Sequence, residues 1–208
     1  MIKLIYLDVE TTGVDHIKNG IHQISGIVEV DYEVKETFNF KVQPRPGCQI
    51  DQDALDLGKV TADQINSYPP QKEVFKQFKA VLDKHINSYD KLDKAFFVGY
   101  NSHFDCNFLR QFFTDNDNKF FGSYFWAGTI DVMSLALNHL KLVRNRMKNF
   151  KLPTVAEKFG IKVEESLHDA SYDIKVTRQI YHMLEKDTIR QFEKLKKGES
   201  FFEILKNV

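Results

Sequence analysis

Cysteine, net charge and long apolar runs are all scarce in this sequence, and each scarcity removes a class of protein. The 208 residues include two cysteines, Cys48 and Cys106, in no CxxC pair and no Cys/His cluster. That argues against a disulfide scaffold and a structural zinc site, and leaves Cys106 as a reduced, packed thiol. Basic residues number 29 and acidic residues 29, so the formal net charge is zero. A protein that coats nucleic acid over a wide surface carries a basic surplus; the balance here fits a ligand engaged over a short span at one end. The apolar opening, Met1 to Leu7, is broken by Asp8, too early for a signal-peptide core or a membrane span. A soluble, cytoplasmic protein is expected. No internal repeat and no low-complexity segment is visible.

What is present is material for a core. Hydrophobic residues make up 42%, and phenylalanine alone contributes 18, enough for one ordinary domain. We expect that domain over residues 1–186. Residues 187–208 form a charged tail whose Phe192, Leu195, Phe201, Phe202, Ile204 and Leu205 suggest helices docked on the domain, or a partner-binding surface. Ile2–Val9 is apolar on both alternating faces, as a central strand is. Ile21–Val30 and Val34–Val42 read as two more strands around a polar turn, an antiparallel meander ended by the loop Pro44–Gly47. Thr61 is a plausible N-cap before Ala62–Ile65. Pro69–Pro70 opens a helix to about Ser88, in which Val74, Phe75, Phe78, Val81, Leu82 and Ile86 recur at helical spacing. Ala95–Gly99 reads as a buried strand, and helices follow near Phe104, over Asp131–Leu142, over Thr154–Phe159 before Gly160, and over Asp169–Glu185. A meander followed by strands alternating with helices predicts an α/β fold, a mixed sheet with helices packed on it.

Acids occupy positions that this pattern reserves for apolar residues. Asp8 and Glu10 lie two apart at the end of the first strand, so both fall on one face, with Cα atoms roughly 7 Å apart. Two uncompensated carboxylates there are costly, and a divalent cation with a preference for hard oxygen ligands, Mg²⁺ or Mn²⁺, is the natural remedy. Asp105 is followed by Phe108, Leu109 and Phe112 at +3, +4 and +7, which puts it on the apolar seam of its helix. Asp173 shares a stripe with Ala170, Ile174, Thr177, Tyr181 and Leu184. Asp169 reads as that helix's N-cap. His168, five residues before Asp173, is placed to take a proton near neutrality.

Three segments, Asp8-Val9-Glu10-Thr11-Thr12-Gly13, Asn101-Ser102-His103-Phe104-Asp105 and His168-Asp169-Ala170-Ser171-Tyr172-Asp173, together resemble the DnaQ-like exonucleases, specifically the DEDDh class of four acids and a histidine. The resemblance runs from Leu4 to Leu184. It implies a ribonuclease H-like fold, a five-stranded mixed sheet flanked by helices. It also implies 3′→5′ release of nucleoside monophosphates with two Mg²⁺ or Mn²⁺ ions. Asp8, Glu10 and Asp173 would hold the first ion, Asp8 would bridge to the second, Asp105 would help hold the second, and His168 would be the general base. Thr11, Thr12 and Gly13 would lie against the terminal nucleotide, with Phe104 as a further substrate-side residue and Asn101 either supporting the second motif's loop or contacting substrate. One departure is visible: many relatives carry His before the Asn of the second motif, where this chain has Tyr100.

The resemblance implies a single-stranded 3′ end of DNA as substrate, of the proofreading or repair type, with RNA trimming on the same fold as the alternative. A polymerase subunit and a homodimer are the implied partners. An inactive scaffold that holds a polymerase is the competing reading, and the filled acid positions count against it. The basic run Lys141, Arg144, Arg146, Lys148 and Lys151 is either a phosphate-tracking loop or a solvated charged one. Phe120, Phe121, Phe125 and Trp126 are read as core rather than as base-stacking residues.

Overall fold

The computed structural model describes residues 1–162 and 170–196. Three strands open the chain: β1 (Lys3–Thr11), β2 (Ile21–Val30) and β3 (Glu33–Lys41). They form the expected meander, closed by a tight turn in which Asp31 and Tyr32 both take positive φ, 49° and 70°. That geometry matches the twist of a two-residue hairpin. Two short helices follow, α1 (Gln52–Leu57) and α2 (Ala62–Asn66). Thr61 caps α2 as expected, its side chain accepting from Gln64 N while Gln64 answers the Thr61 amide, a capping box. Helix α3 (Gln71–His85) presents Val74, Phe75, Phe78, Val81 and Leu82 to the sheet. It ends three residues before the expected Ser88, as the chain turns through Asn87–Asp90.

The second half alternates: β4 (Ala95–Gly99), α4 (Ser102–Asp115), α5 (Phe121–Tyr124), β5 (Phe125–Asp131), α6 (Val132–Leu140), α7 (Leu152–Lys158) and α8 (Ala170–Lys196). The helix expected to reach Leu142 stops at Leu140 and tightens into a 3-10 turn over Lys141–Arg146. Helix α8 passes the expected domain end at residue 186 without a break and continues to Lys196. The docking of the remaining tail lies outside the described residues.

The five strands form one mixed sheet in the order β3-β2-β1-β4-β5. β1 runs antiparallel to β2 and parallel to β4, and β4 runs parallel to β5. Alternation along β1 divides the core. Ile5, Leu7 and Val9 pack with the phenylalanines of α3 and α4 on one face, whereas Leu4 and Tyr6 pack with α6, α7 and α8 on the other. Asp8 and Glu10 continue the second row. Of the four aromatics read as core, Phe121 and Phe125 are buried, Trp126 is half-buried, and Phe120 is exposed. Among the described residues no helix is long and apolar enough to cross a membrane.

Candidate active site

The site forms where the central strand outruns its parallel neighbour. β4 pairs with β1 from Leu4 to Tyr6 and ends at Gly99, leaving the last turns of β1 without a strand on that side. Gly99 allows a close approach there, because an added Cβ would stand 3.2 Å from the Leu7 carbonyl oxygen and 3.2 Å from Ser102 Cβ. The chain then reverses through Asn101, left-handed at φ 62°, a conformation Asn tolerates better than most residues. Asp131 fixes this turn: one carboxylate oxygen accepts the Asn101 amide at 2.9 Å and the Met133 amide at 3.0 Å, while the other accepts the Ser134 hydroxyl at 2.8 Å. Ser102 adds a hydroxyl bond to Thr129 at 2.8 Å.

This turn aims the first coil of α4 at β1. Asp105, 3% exposed, accepts the Val9 amide at 3.0 Å, so a carboxylate replaces the missing ladder partner between Asp8 and Glu10. Burial pushes the Asp105 carboxyl up to about 8; the charges of Glu10 and Asp131 add to the rise, and the amides of Val9 and Asp105 oppose it. A buried acid under that electrostatic load is a ready partner for a cation.

The other acids arrive from the sheet and from α8. Asp8 and Glu10 are half-buried and stand opposite Ser25 and Gln23 of β2. A register shift follows between Glu10 and Thr11, where β2 carries His22 as an extra residue; such bulges recur beside active sites because they re-aim the strand. Asp173 is in the first turn of α8 and is half-buried, while Ala170, Ile174 and Thr177 face the sheet. Ser171, Ile174 and Lys175 share a cleft with Ile27 and Asn39, which puts that first turn beside the row that contains Asp8. His168 lies outside the described residues.

The loop after β1 is held from behind. Thr12 is fully buried; its hydroxyl donates to Gln49 O at 2.6 Å and accepts the Gly20 amide at 2.9 Å. Asn19 donates to Thr12 O at 3.2 Å and to Gln49 O at 3.0 Å. Thr12 is therefore spent inside the fold, whereas Thr11, half-buried, bonds Gly13 O at 2.7 Å. A Cβ on Gly13 would fall 2.1 Å from the Asp51 carboxylate and 2.3 Å from Asn19 Nδ2, so only glycine fits. Phe104 is half-buried against Phe108, ring centroids 4.8 Å apart, and the Asn101 backbone carries the turn. Sequence reasoning missed Asp131 as the brace of the second motif; the signal was an acid immediately before a helical pattern.

Among the described residues no three His, Cys, Asp or Glu side chains close into a metal-holding group. An all-oxygen set spread over one end of a sheet still suits Mg²⁺, which keeps several waters and shares its shell with substrate phosphates rather than filling a protein cage.

Comparison with known proteins agrees with this architecture. The family model RNase_T, Exonuclease, matches residues 5–181. The PolC-type DNA polymerase III of Pediococcus pentosaceus is 24% identical over 193 residues, 91% of this chain and 12% of the polymerase. That of Thermotoga petrophila is 25% identical over 177 residues, 85% of this chain and 11% of the polymerase. The chain thus spans about one eighth of the length of these relatives. E. coli Exonuclease I in complex with a dT13 oligonucleotide shares the fold with a TM-score of 0.74 at 16% identity, over 99% of this chain and 46% of that one. The zinc-ion-bound form of the same exonuclease with single-stranded DNA gives 0.74 at 17%, over 95% and 43%.

Proposed function

This chain belongs to the exonuclease family it matches across residues 5–181, among the DnaQ-like 3′→5′ exonucleases of the ribonuclease H-like superfamily, and from that premise we propose that it trims single-stranded DNA 3′ ends with two divalent metal ions. The observation that carries the proposal is the buried Asp105, bonded to the Val9 amide between Asp8 and Glu10. Asp8, Glu10, Asp105 and Asp173 would hold the Mg²⁺ or Mn²⁺ ions. Bound metal would supply charge neutralisation at the phosphodiester and a nucleophile of lowered pKa. Asp105, already held by a backbone amide, needs little reorganisation to act as a ligand. His168 would take the proton from the attacking water. Thr11, Gly13 and Phe104 would face the terminal nucleotide, while Thr12 and Asn101 would keep their two loops in place. The DEDDh assignment rests on these five positions. The kinship with PolC-type polymerases and with an exonuclease bound to dT13 supports a DNA substrate, a proofreading or repair role and association with a polymerase.

The test is the release of mononucleotide from matched 3′-labelled DNA and RNA oligonucleotides with Mn²⁺. The expected result is metal-dependent release that favours DNA and is abolished by Asp8→Asn. Equal rates on both nucleic acids would remove the DNA assignment. An active, metal-dependent Asp8→Asn variant would remove Asp8 from the site.

A further inference from the structure

The sheet face that carries the acids stays polar for two more strands. The register sets Glu10, Gln23 and Lys41 in one cross-strand row and Asp8, Ser25 and Asn39 in the next. Gln23 is 2% exposed and Ser25 is fully buried, positions that a sheet under a helix ordinarily fills with aliphatic side chains. The Lys41 ammonium donates to Gln23 Oε1 at 2.5 Å. A lysine only donates, so this bond fixes which way the buried amide points. Gln23 Nε2 then donates to Asn39 Oδ1 at 2.9 Å, and the Ser25 hydroxyl donates to the same oxygen at 3.0 Å. With its oxygen held by two donors, Asn39 presents its NH₂ group outward in a fixed direction.

Asn39 stands on the rim of a cleft of about 220 Å³ between β2, β3 and the first turns of α8. Buried Ile27 and Ile174 form its inner wall, and exposed Thr37, Asn39 and Lys175 its rim. The cleft is smaller than the roughly 300–1,000 Å³ that take whole small-molecule ligands. Its rim combines a pre-oriented amide donor, a hydroxyl and an ammonium, the donors that phosphate groups attract. Asn39 lies two strand spacings from Asp8, about 10 Å, a distance that a neighbouring nucleotide of the same strand can bridge. We infer that Asn39, with Thr37 and Lys175, forms a subsite for a phosphodiester of the substrate strand next to the one being cut. This rests on the exonuclease reading above.

Asn39→Asp tests it with little change of shape. The carboxylate still accepts from Gln23 and Ser25, but it turns the outward donor into a negative oxygen. Two substrates are compared in Mn²⁺: a single-stranded DNA oligonucleotide, and the p-nitrophenyl ester of thymidine 5′-monophosphate, which carries only the phosphate being cut. The expected result is a fall of about tenfold in oligonucleotide kcat/KM relative to the ester, the scale of one hydrogen bond to a charged group. Lys175→Gln is expected to reduce the slope of log KM against log salt on the oligonucleotide by about 0.7, the share of one phosphate of a single strand. An unchanged ratio of the two substrates in Asn39→Asp, or an equal loss on both with a lowered melting temperature, would overturn the subsite and leave a structural lattice. Wild-type protein inactive on both substrates would overturn the exonuclease reading, and the subsite with it.

Discussion

The two faces of the sheet solve different problems. On one, Ile5, Leu7, Val9, Ile24 and Val28 meet the rings of Phe75, Phe78, Phe112 and Phe113, and nearly every contact is non-directional. On the other, the apolar row of Leu4, Tyr6 and Ile27 is bounded at both ends by charge. One end carries Asp8 and Glu10. At the other, Glu29, 1% exposed, accepts from Arg178 at 2.6 Å and from His182 at 3.0 Å, with Tyr6 OH 3.3 Å from the same His182 nitrogen. The aromatic face supplies bulk stability and tolerates rearrangement. The charged face demands fixed geometry, and α8 spans it from the acids to the Glu29 cluster.

The contrast is broken most severely on the aromatic side. Phe113 is 1% exposed, with its ring centroid 5.0 Å from that of Phe75 and 5.2 Å from that of Phe121. Phe113→Ala is expected to cost about 3–5 kcal/mol in denaturant unfolding, while turnover per folded molecule persists. A loss of turnover without a loss of stability would show that the two faces are not separable.

Arg178→Ala is expected to cost less, about 2 kcal/mol, because the Arg178 side chain is 26% exposed and His182 still partners Glu29. The sharper form replaces both ions, as Glu29→Gln with Arg178→Met, and most of the stability should return, since removing both partners leaves no buried charge without an answer. A double variant weaker than the single one would make the ion cluster a net source of stability.

A further effect appears only in acid. His22 is buried, neither ring nitrogen has a hydrogen-bond partner among the described residues, and burial, assisted by the Lys41 charge, lowers its pKa to about 4. Unfolded, the same group titrates near 6.5. Between those values the unfolded chain binds a proton that the folded one refuses, so its stability is full above 6.5 and declines as pH falls towards 4. The melting temperature of the wild type should therefore drop more steeply over that range than that of His22→Gln. Parallel curves would show His22 to be hydrated in the folded state.

Much of this was legible in the sequence, for reasons that differ by element. β2 was read to the residue because both its faces are buried and a polar turn bounds it. The burial of Asp105 was legible because it sits on an apolar helical seam, where an acid stands out. β5 escaped the pattern: it lies at the sheet edge, and Ala127 and Gly128 are exposed, so it lacks the continuous apolar run of a central strand. The resemblance supplied its existence as the fifth strand. The polar lattice of Gln23, Ser25, Asn39 and Lys41 escaped too, because it depends on a register across three strands that no local window contains. The bend into the 3-10 turn after Leu140 left no mark in a periodicity that runs on to Leu142.

Asp131 closes two ring-like circuits with one side chain, holding the amides of both Asn101 and Met133. An edge strand is ordinarily the first part of a sheet to fray, and its amides exchange with solvent by small local openings. Here the end of β5 is tied to the turn that carries Asp105, so the two are expected to open together. In hydrogen-exchange terms, the Asn101 and Met133 amides are expected to exchange as one cooperative unit, and the opening of that unit would be what unshapes the second motif.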